Sequence, residues 1–205
     1  AATHKAMQNV HFRRALSFAF DRSSYNAQSV GDDLKYVSLR NTYTPGNLVE
    51  LAEDVTVDIN GTATTFTKGT RYGAIVQAQL DADGFQAKVW DPNGDSGAGS
   101  TDGFDGWYNP EEAAAELELA IAELAEQGLE ISAENPIHLD LPYNAGNQTW
   151  VNKANTYKQS VEAALDGKVI VDIVACPDAK AWYYTGYYTS YGYEQNYDIF
   201  DLSGW

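Results

Sequence analysis

The sequence predicts an α/β fold in which a mostly parallel sheet is flanked by helices. Two amphipathic helical stripes, two apolar strand segments and the short connections between them, all in the second half of the chain, support this prediction. Helices and strands that alternate with short connections are typical of parallel sheets with right-handed crossovers. With 205 residues, of which 44% are hydrophobic, the chain is long enough to bury a sizeable core. We therefore expect residues 1–205 to form one α/β lobe.

The first strongly patterned helix is predicted to begin at Asn109-Pro110. Asn109 is a good N-cap, Pro110 suits the first helical position, and the Glu112 carboxylate can reach back to the cap. Gly128 is placed to end the helix in a left-handed conformation. Apolar residues recur at three- and four-residue spacing between these limits, at Leu117, Ala120, Ile121 and Leu124.

A strand, a helix and a second strand follow. Apolar and polar residues alternate over Ile137–Leu141, which predicts a strand with one buried face. A helical stripe runs from Trp150 to Leu165 and is closed by Gly167. The nearly unbroken apolar run 169–175 predicts an interior strand that is covered on both faces. We expect the two strands to be parallel members of one sheet, with the Trp150 helix packed on a face.

The end of the chain is rich in aromatic residues. A helix from about Asp178 to Tyr191 and a strand from Tyr197 to Leu202 are predicted there. Half of the rings could pack the helix on the sheet, whereas the others could lie on the surface or line a cleft. A carbohydrate-binding role is also open. The eight aromatic residues are Trp182, Tyr183, Tyr184, Tyr187, Tyr188, Tyr191, Tyr193 and Tyr197.

The first half of the chain is less regular. An amphipathic helix is predicted from about Asn9 to Ser29. Val55, Val57 and Ile59 then lead into Asn60-Gly61, a strong turn signal for a β-hairpin. A helix is predicted from about residue 72 to residue 83.

Charge and composition exclude several classes of partner. The chain has 29 acidic and 13 basic residues and a net charge of −16, which opposes binding to nucleic acid or anionic lipid. No run of 18 apolar residues occurs, and we expect any export signal to lie outside this sequence. Cys176 is the single cysteine, so it is predicted to be a small buried residue without an internal disulfide.

One loop resembles a dockerin calcium loop. Two departures weaken the motif, because Ser96 replaces the glycine of the sharp turn and Gly99 supplies no side chain. Residues 103–106 also favour no exiting helix, and a second copy is absent from the sequence. We therefore expect no metal here. The residues at loop positions 1, 3, 5 and 12 are Asp91, Asn93, Asp95 and Asp102.

The sequence offers no catalytic constellation. His4, His11 and His138 lie in unrelated segments, and no nucleophile elbow, phosphate-binding loop or zinc-protease motif surrounds them. We therefore expect a protein that is not an enzyme and that needs no cofactor.

Five segments together resemble oligopeptide-binding lipoproteins of Gram-positive ABC importers, which are members of extracellular solute-binding family 5. Their order and spacing carry the resemblance, whereas residues 31–106 match only loosely. The segments are the Phe12–Arg22 helix with Tyr25, the helix start at Tyr108–Ala113, the strand Pro136–Leu141, the run Lys158–Glu162, and Tyr197–Trp205, which ends in Ser-Gly-Trp.

The resemblance implies the C-terminal lobe of a receptor with the fold of type II periplasmic binding proteins. In that family two lobes close over an extended peptide, whose main chain is held by backbone hydrogen bonds. It implies that Trp182 and Trp205 face the peptide and that Ser203 and Gly204 offer backbone groups at the cleft edge. Neither the opposite lobe nor the family's usual charge anchor for the peptide N-terminus is expected within these residues.

The same resemblance implies partners and location. The partners would be an oligopeptide ligand and the permease subunits of an ABC importer. The protein would be an extracellular lipoprotein of a Gram-positive bacterium, attached to the membrane only through a lipid anchor outside this sequence. The alternative is a calcium-dependent or carbohydrate-binding surface module.

Overall fold

The computed structural model describes residues 2–188, 191, 195 and 197–201. These residues form helices and two short sheets. In chain order the elements are α1 (Ala2–Gln8), α2 (Val10–Ala19), α3 (Arg22–Val30), a 3₁₀ turn (Asp32–Leu34), β1 (Val55–Ile59), β2 (Thr62–Phe66), α4 (Tyr72–Ala82), the single turn α5 (Gly94–Gly97), α6 (Pro110–Glu126), β3 (Ile137–Asn144), α7 (Gln148–Ala164), β4 (Val169–Cys176) and α8 (Ala179–Gly186).

The chain divides into two compact units. Unit 1 combines the chain up to Asp21 with the chain from Pro110 onward, and unit 2 is Arg22–Asn109. Unit 1 therefore contains α1, α2, α6, β3, α7, β4 and α8, whereas unit 2 contains α3, β1, β2, α4 and α5. No helix in the described part of either unit is both long and apolar enough to cross a bilayer.

Unit 1 is built around a β-α-β arrangement. β3 and β4 are parallel, with Leu139 opposite Val171 in the register. α7 connects the two strands and packs against both of them. The predicted parallel pairing and the predicted position of the Trp150 helix are thus confirmed.

A helical layer completes unit 1. α2 and α6 pack against each other, and both contact α7. The Asn9 side chain caps α2 by accepting a hydrogen bond from the Phe12 N–H at 2.9 Å. α6 begins at Pro110, as predicted, and Gly128 has the predicted left-handed φ of 78°. The large side chains that are fully buried here are Phe12, Phe18, Leu117, Leu124, Leu139, Val161, Leu165, Val169 and Val171.

Unit 2 contains the predicted hairpin. β1 and β2 pair antiparallel from Val55 opposite Phe66 to Ile59 opposite Thr62. Asn60 and Gly61 connect them with φ values of 52° and 81°. Positive φ at both central positions is the geometry of a type I′ turn, which explains the Asn-Gly pair. The helix predicted over residues 72–83 is also confirmed, as α4.

A hydrogen-bond network in unit 2 centres on Asp105, whose side chain is 7% exposed. One carboxylate oxygen accepts from the Arg22 side chain, at 2.9 Å from Nε and 2.6 Å from Nη2. The other accepts from the backbone N–H groups of Arg22 and Ser23, at 3.0 and 3.2 Å. Arg22 Nη2 also donates to Asn41, whose amide donates to the Thr101 carbonyl at 2.8 Å. We call these residues the Asp105 network.

The single helix predicted over residues 9–29 is wrong, because the structure has two helices there. α2 ends at Ala19, and Phe20 is extended with φ −84° and ψ 107°. In unit 1 the Phe20 ring meets the Tyr157 ring edge to face at 4.9 Å. In unit 2 the Asp105 carboxylate caps the first N–H groups of α3. Both partners are distant in sequence, so a local periodicity does not reveal the break.

Two further expectations for unit 1 need correction. Described residues 197–201 are not a strand, and Leu202 lies outside the described residues. β4 is not an interior strand, since β3 is its single neighbour among the described residues and Val174 is exposed. The expected mostly parallel sheet is therefore, in the described chain, one parallel pair and one antiparallel hairpin.

Candidate functional site

Trp182 is the one predicted ligand-binding residue that the structure describes. It lies on α8, which Asp178 caps by accepting a hydrogen bond from the Ala181 N–H at 2.8 Å. The Trp182 side chain is buried, with 4% of the residue exposed. Its indole N–H donates to the Pro142 carbonyl at 3.2 Å, which ties α8 to β3.

Three aromatic rings surround Trp182. Phe200 stacks on it, with centroids 4.6 Å apart and planes 13° apart. Trp150 of α7 lies at 4.9 Å and Tyr183 at 5.0 Å. Tyr197 contacts Phe200 at 4.9 Å. We call Trp150, Trp182, Tyr197 and Phe200 the indole cluster.

α8 ends earlier than predicted, at Gly186 rather than near Tyr191. A Cβ at Gly186 would lie 2.7 Å from the Tyr197 ring and 2.8 Å from the Phe200 ring. Contacts under 3.0 Å are too close for real Cβ atoms, so only glycine lets these rings approach the helix here. The end of α8 is therefore shaped by packing within the indole cluster.

Residues 197–201 contact β3 without extending the sheet. The Asp198 and Ile199 N–H groups donate to the Asp140 carbonyl at 3.2 and 3.1 Å. The Asp140 N–H donates to the Asp198 carboxylate at 2.8 Å. Because the Asp140 N–H donates to this carboxylate, it is not available to the backbone of a neighbouring strand. This explains why the predicted strand does not form over these residues.

The other three predicted ligand-binding residues, Ser203, Gly204 and Trp205, lie outside the described residues. Phe200 precedes Ser203 by three positions in the sequence. The prediction that these three residues and Trp182 contact a peptide stays a prediction. Cys176 is buried, as expected, with its sulfur 3.7 Å from the Thr185 hydroxyl.

Four tyrosines of α8 and the residues just after it form an exposed group. Tyr183 contacts Tyr187 and Tyr188, each at 5.7 Å, and Tyr188 also contacts Tyr184 and Tyr187, each at 5.3 Å. Their exposed fractions range from 39% for Tyr183 to 61% for Tyr184. We call these four residues the tyrosine surface. It corresponds to the rings that the sequence placed either on the surface or in a cleft.

Sequence reasoning missed an ionic contact between α2 and α6. His11 Nδ1 lies 2.5 Å from Glu116 Oε2, and its Nε2 lies 3.6 Å from Glu123. Arg14 approaches Glu116 at 3.7 Å. Burial and then the Glu116 charge raise the pKa of Glu112 above its ordinary value. The contact joins two helices whose separation along the chain hides it from motif searches.

The loop that resembles a calcium site has its own internal contacts. The Asp91 N–H donates to the Ser100 carbonyl, and the Asp91 carbonyl accepts from the Ser100 N–H, both at 2.8 Å. The Asp95 carboxylate accepts a hydrogen bond from the Asn47 side chain. Asp95 and Ser96 have left-handed φ values of 48° and 59°. Within the described residues no three His, Cys, Asp or Glu side chains are grouped as metal ligands would be. The expectation of no calcium stays a prediction.

The chain is similar to a segment of several oligopeptide-binding proteins. It is 34% identical to SarA of Streptococcus gordonii over 206 residues, which is 100% of this chain and 27% of SarA. It is 30% identical to AliB of Streptococcus pneumoniae over 204 residues, again 100% of this chain and 27% of the relative. AmiA of the same species is 34% identical over 173 residues, covering 84% of this chain and 22% of AmiA. No family model matches the chain.

These matches confirm the resemblance to oligopeptide-binding proteins that the sequence indicated. The chain spans about a quarter of the length of the curated relatives it matches, so it is homologous to a segment of each rather than to the whole. The matches do not favour the alternative of a calcium-dependent or carbohydrate-binding module.

Proposed function

We propose that the chain is part of a peptide-binding receptor that captures oligopeptides outside the cell and delivers them to an ABC transporter. In this proposal residues 1–205 form the C-terminal lobe of a two-lobed receptor, which is not an enzyme. The observation that carries the proposal is the similarity over the whole chain to SarA and AliB, both named as oligopeptide-binding proteins.

A physical argument explains how such a receptor binds many peptides. Backbone hydrogen bonds to an extended peptide supply affinity that does not depend on side-chain identity. Roomy hydrated pockets then accept different side chains, because bridging waters replace direct contacts at little cost. A receptor with two lobes divides these contacts between the lobes and excludes competing water when it closes.

The residues proposed for the ligand-binding site are Trp182, Ser203, Gly204 and Trp205, with Trp182 in a supporting rather than a contacting role. The burial of Trp182 and the use of its N–H by Pro142 support an indirect role for this residue. Its ring stacks on Phe200, and Phe200 lies three residues before Ser203 in the sequence. We propose that Trp182 positions the segment that carries the other three residues.

The proposed partners and location follow the relatives. The ligand is an oligopeptide, and the receptor delivers it to the permease subunits of the importer. Streptococci are Gram-positive, so the proposed location is the outer face of the cytoplasmic membrane, where a lipid anchor outside this sequence would hold the receptor. The net charge of −16 supports the exclusion of nucleic acid.

Trp182→Phe and Trp182→Ala in the full-length receptor test the proposal. Phe keeps an aromatic ring against Phe200, whereas Ala removes the stacking. We expect Trp182→Ala to weaken peptide binding by about 1–3 kcal/mol and Trp182→Phe to weaken it less, measured by calorimetry at a temperature where both variants are folded. Tyr43→Ala is the control, since Tyr43 is 97% exposed in unit 2.

The calorimetric result can support or contradict the proposal. Weakened binding by folded Trp182→Ala with unchanged binding by the control supports the positioning role. Unchanged peptide affinity in folded Trp182→Ala, with only a lower melting temperature, would contradict it. Absence of peptide binding by the unmodified receptor would contradict the proposed function itself.

A further inference from the structure

The tyrosine surface is a contiguous aromatic area. Neighbouring ring centroids in it are 5.3 to 5.7 Å apart, within the range of direct aromatic contact. Tyr183 also touches Trp182, so the surface borders the indole cluster. The two groups differ in exposure, because Trp182 is 4% exposed whereas Tyr184 and Tyr188 are 61% and 60% exposed. Trp182 is thus buried in unit 1, whereas most of the tyrosine surface is exposed.

The rings of this surface do not stack on one another. The Tyr187 and Tyr188 planes are perpendicular, and the Tyr184 and Tyr188 planes are 47° apart. Tilted rings cover one another's faces only in part, whereas parallel stacked rings hide the two faces that meet. Non-coplanar rings also form no flat platform of the kind that packs against the face of a sugar ring. The geometry therefore favours a small group that binds over individual ring faces.

Charge favours a cation as that group. Between residues 178 and 201 the sequence has four acidic residues and one basic residue, within a chain of net charge −16. Aromatic ring faces carry partial negative charge and attract ammonium and guanidinium groups. A neighbouring ring already holds a cation in this way, because Lys153 Nζ lies 5.2 Å from the centroid of the Trp150 ring.

We propose that the tyrosine surface binds Lys or Arg side chains of an oligopeptide and so gives the receptor a preference for basic peptides. This inference rests on the proposed function and adds a ligand chemistry to it. The cation lies over an exposed tyrosine ring, and the net charge of −16 increases the local concentration of cationic peptides.

The test compares two pentapeptides, Ala-Lys-Ala-Lys-Ala and Ala-Gln-Ala-Gln-Ala, by calorimetry with the full-length receptor. One double variant combines Tyr184→Leu with Tyr188→Leu, which keeps apolar bulk but removes the rings. A matched double variant combines Tyr184→Phe with Tyr188→Phe, which keeps the rings. Tyr43→Leu, at an exposed tyrosine of unit 2, controls for loss of a surface ring elsewhere.

We expect the unmodified receptor to bind the lysine peptide more tightly than the glutamine peptide. The Leu double variant should lose about threefold to tenfold in affinity for the lysine peptide and keep its affinity for the glutamine peptide. The Phe double variant and Tyr43→Leu should keep both affinities. This pattern would identify the rings, rather than bulk or hydroxyl groups, as the source of the preference.

Three results would overturn the inference and leave the proposed function intact. They are equal binding of the two peptides by the unmodified receptor, an unchanged lysine preference in the Leu double variant, and an equal loss of both peptides in that variant. Binding of maltopentaose that the Leu double variant loses would instead assign the surface to carbohydrate. If the unmodified receptor bound neither peptide, the proposed function and this inference would both be wrong.

Discussion

Each of the two units is stabilised internally by a different kind of interaction. Unit 1 closes on apolar side chains from α2, α6, β3, α7 and β4, whereas the buried apolar residues of unit 2, among those the structure describes, are Ile59, Ala87 and Val89. Unit 2 instead buries polar residues, including Asn41, Ser100 and Thr101, and Asn41 and Thr101 belong to the Asp105 network. Apolar burial depends on volume, whereas a buried network depends on the charge and geometry of each member. The comparison teaches that the two units should fail under different substitutions.

Asp105→Ala should have the largest effect, because it removes the acceptor that Arg22 and Ser23 share in unit 2. Arg22 is partly buried, and the change takes this acceptor from its guanidinium and from two backbone N–H groups, which should lower the unfolding free energy by about 3–5 kcal/mol. Asp105→Asn should cost nearly as much, since its NH₂ group would face donors. Glu53→Ala, at an exposed carboxylate of the same unit, is the control. Urea denaturation measures each loss, and a loss below about 1 kcal/mol for Asp105→Asn would contradict this account of unit 2.

Leu139→Ala should have the next largest effect. Leu139 is fully buried in the middle of β3, so truncation leaves a cavity and should cost about 2–5 kcal/mol. Leu139→Ile conserves volume and should cost less than about 1.5 kcal/mol. The same denaturation experiment checks both values. Equal losses for the Ala and Ile variants would show that unit 1 does not depend on packed volume in the way proposed.

Gly61→Ala tests the hairpin, which we expect to contribute less to the stability of unit 2 than the Asp105 network does. Gly61 has φ 81°, and no atom within 4 Å would obstruct a Cβ, so the cost arises from backbone strain alone. We expect a loss of about 1 kcal/mol. Thr64→Ala in β2 is the control and should change stability by less than that. Greater stability of Gly61→Ala would mean that the turn does not adopt the left-handed geometry.

Tyr157→Phe should have the smallest effect at neutral pH and a larger one in alkali. Burial raises the pKa of Tyr157, so the folded state holds the phenol proton more tightly than the unfolded state does. The associated stability is present below the ordinary tyrosine pKa of about 10 and is lost as pH rises above it. Tyr157→Phe should therefore lose less stability than the unmodified chain between about pH 10 and pH 11. Identical alkaline profiles would contradict this, and Tyr184→Phe, at an exposed ring, is the control.

The β-α-β arrangement was predictable because its signals are local. Apolar residues at helical or strand spacing from Leu117 to Val171 predicted α6, β3, α7 and β4, and the Asn60-Gly61 pair predicted the hairpin. The break between α2 and α3 was not predictable, since Tyr157 and Asp105 are far along the chain from Phe20 and Arg22. A cap supplied by a distant carboxylate leaves no pattern near the helix it starts.

The candidate site shows the same limit. Sequence resemblance singled out Trp182, but only the structure shows its stacking on Phe200 and its hydrogen bond to Pro142. The predicted strand does not form over described residues 197–201, where the Asp198 side chain accepts a hydrogen bond from the Asp140 N–H. Periodicity indicates which face of a helix or strand is apolar. It does not indicate when a side chain replaces a backbone group as a hydrogen-bond partner.

Calorimetric titration of an oligopeptide into the full-length receptor and, separately, into the 205-residue chain tests the central claim most directly. The chain corresponds to about a quarter of its relatives and would supply one lobe's share of the contacts. We predict micromolar or tighter binding by the full-length receptor and binding weaker than roughly millimolar by the chain alone, a difference of at least about 4 kcal/mol. Micromolar binding by the chain alone, or no binding by the full-length receptor, would contradict the claim.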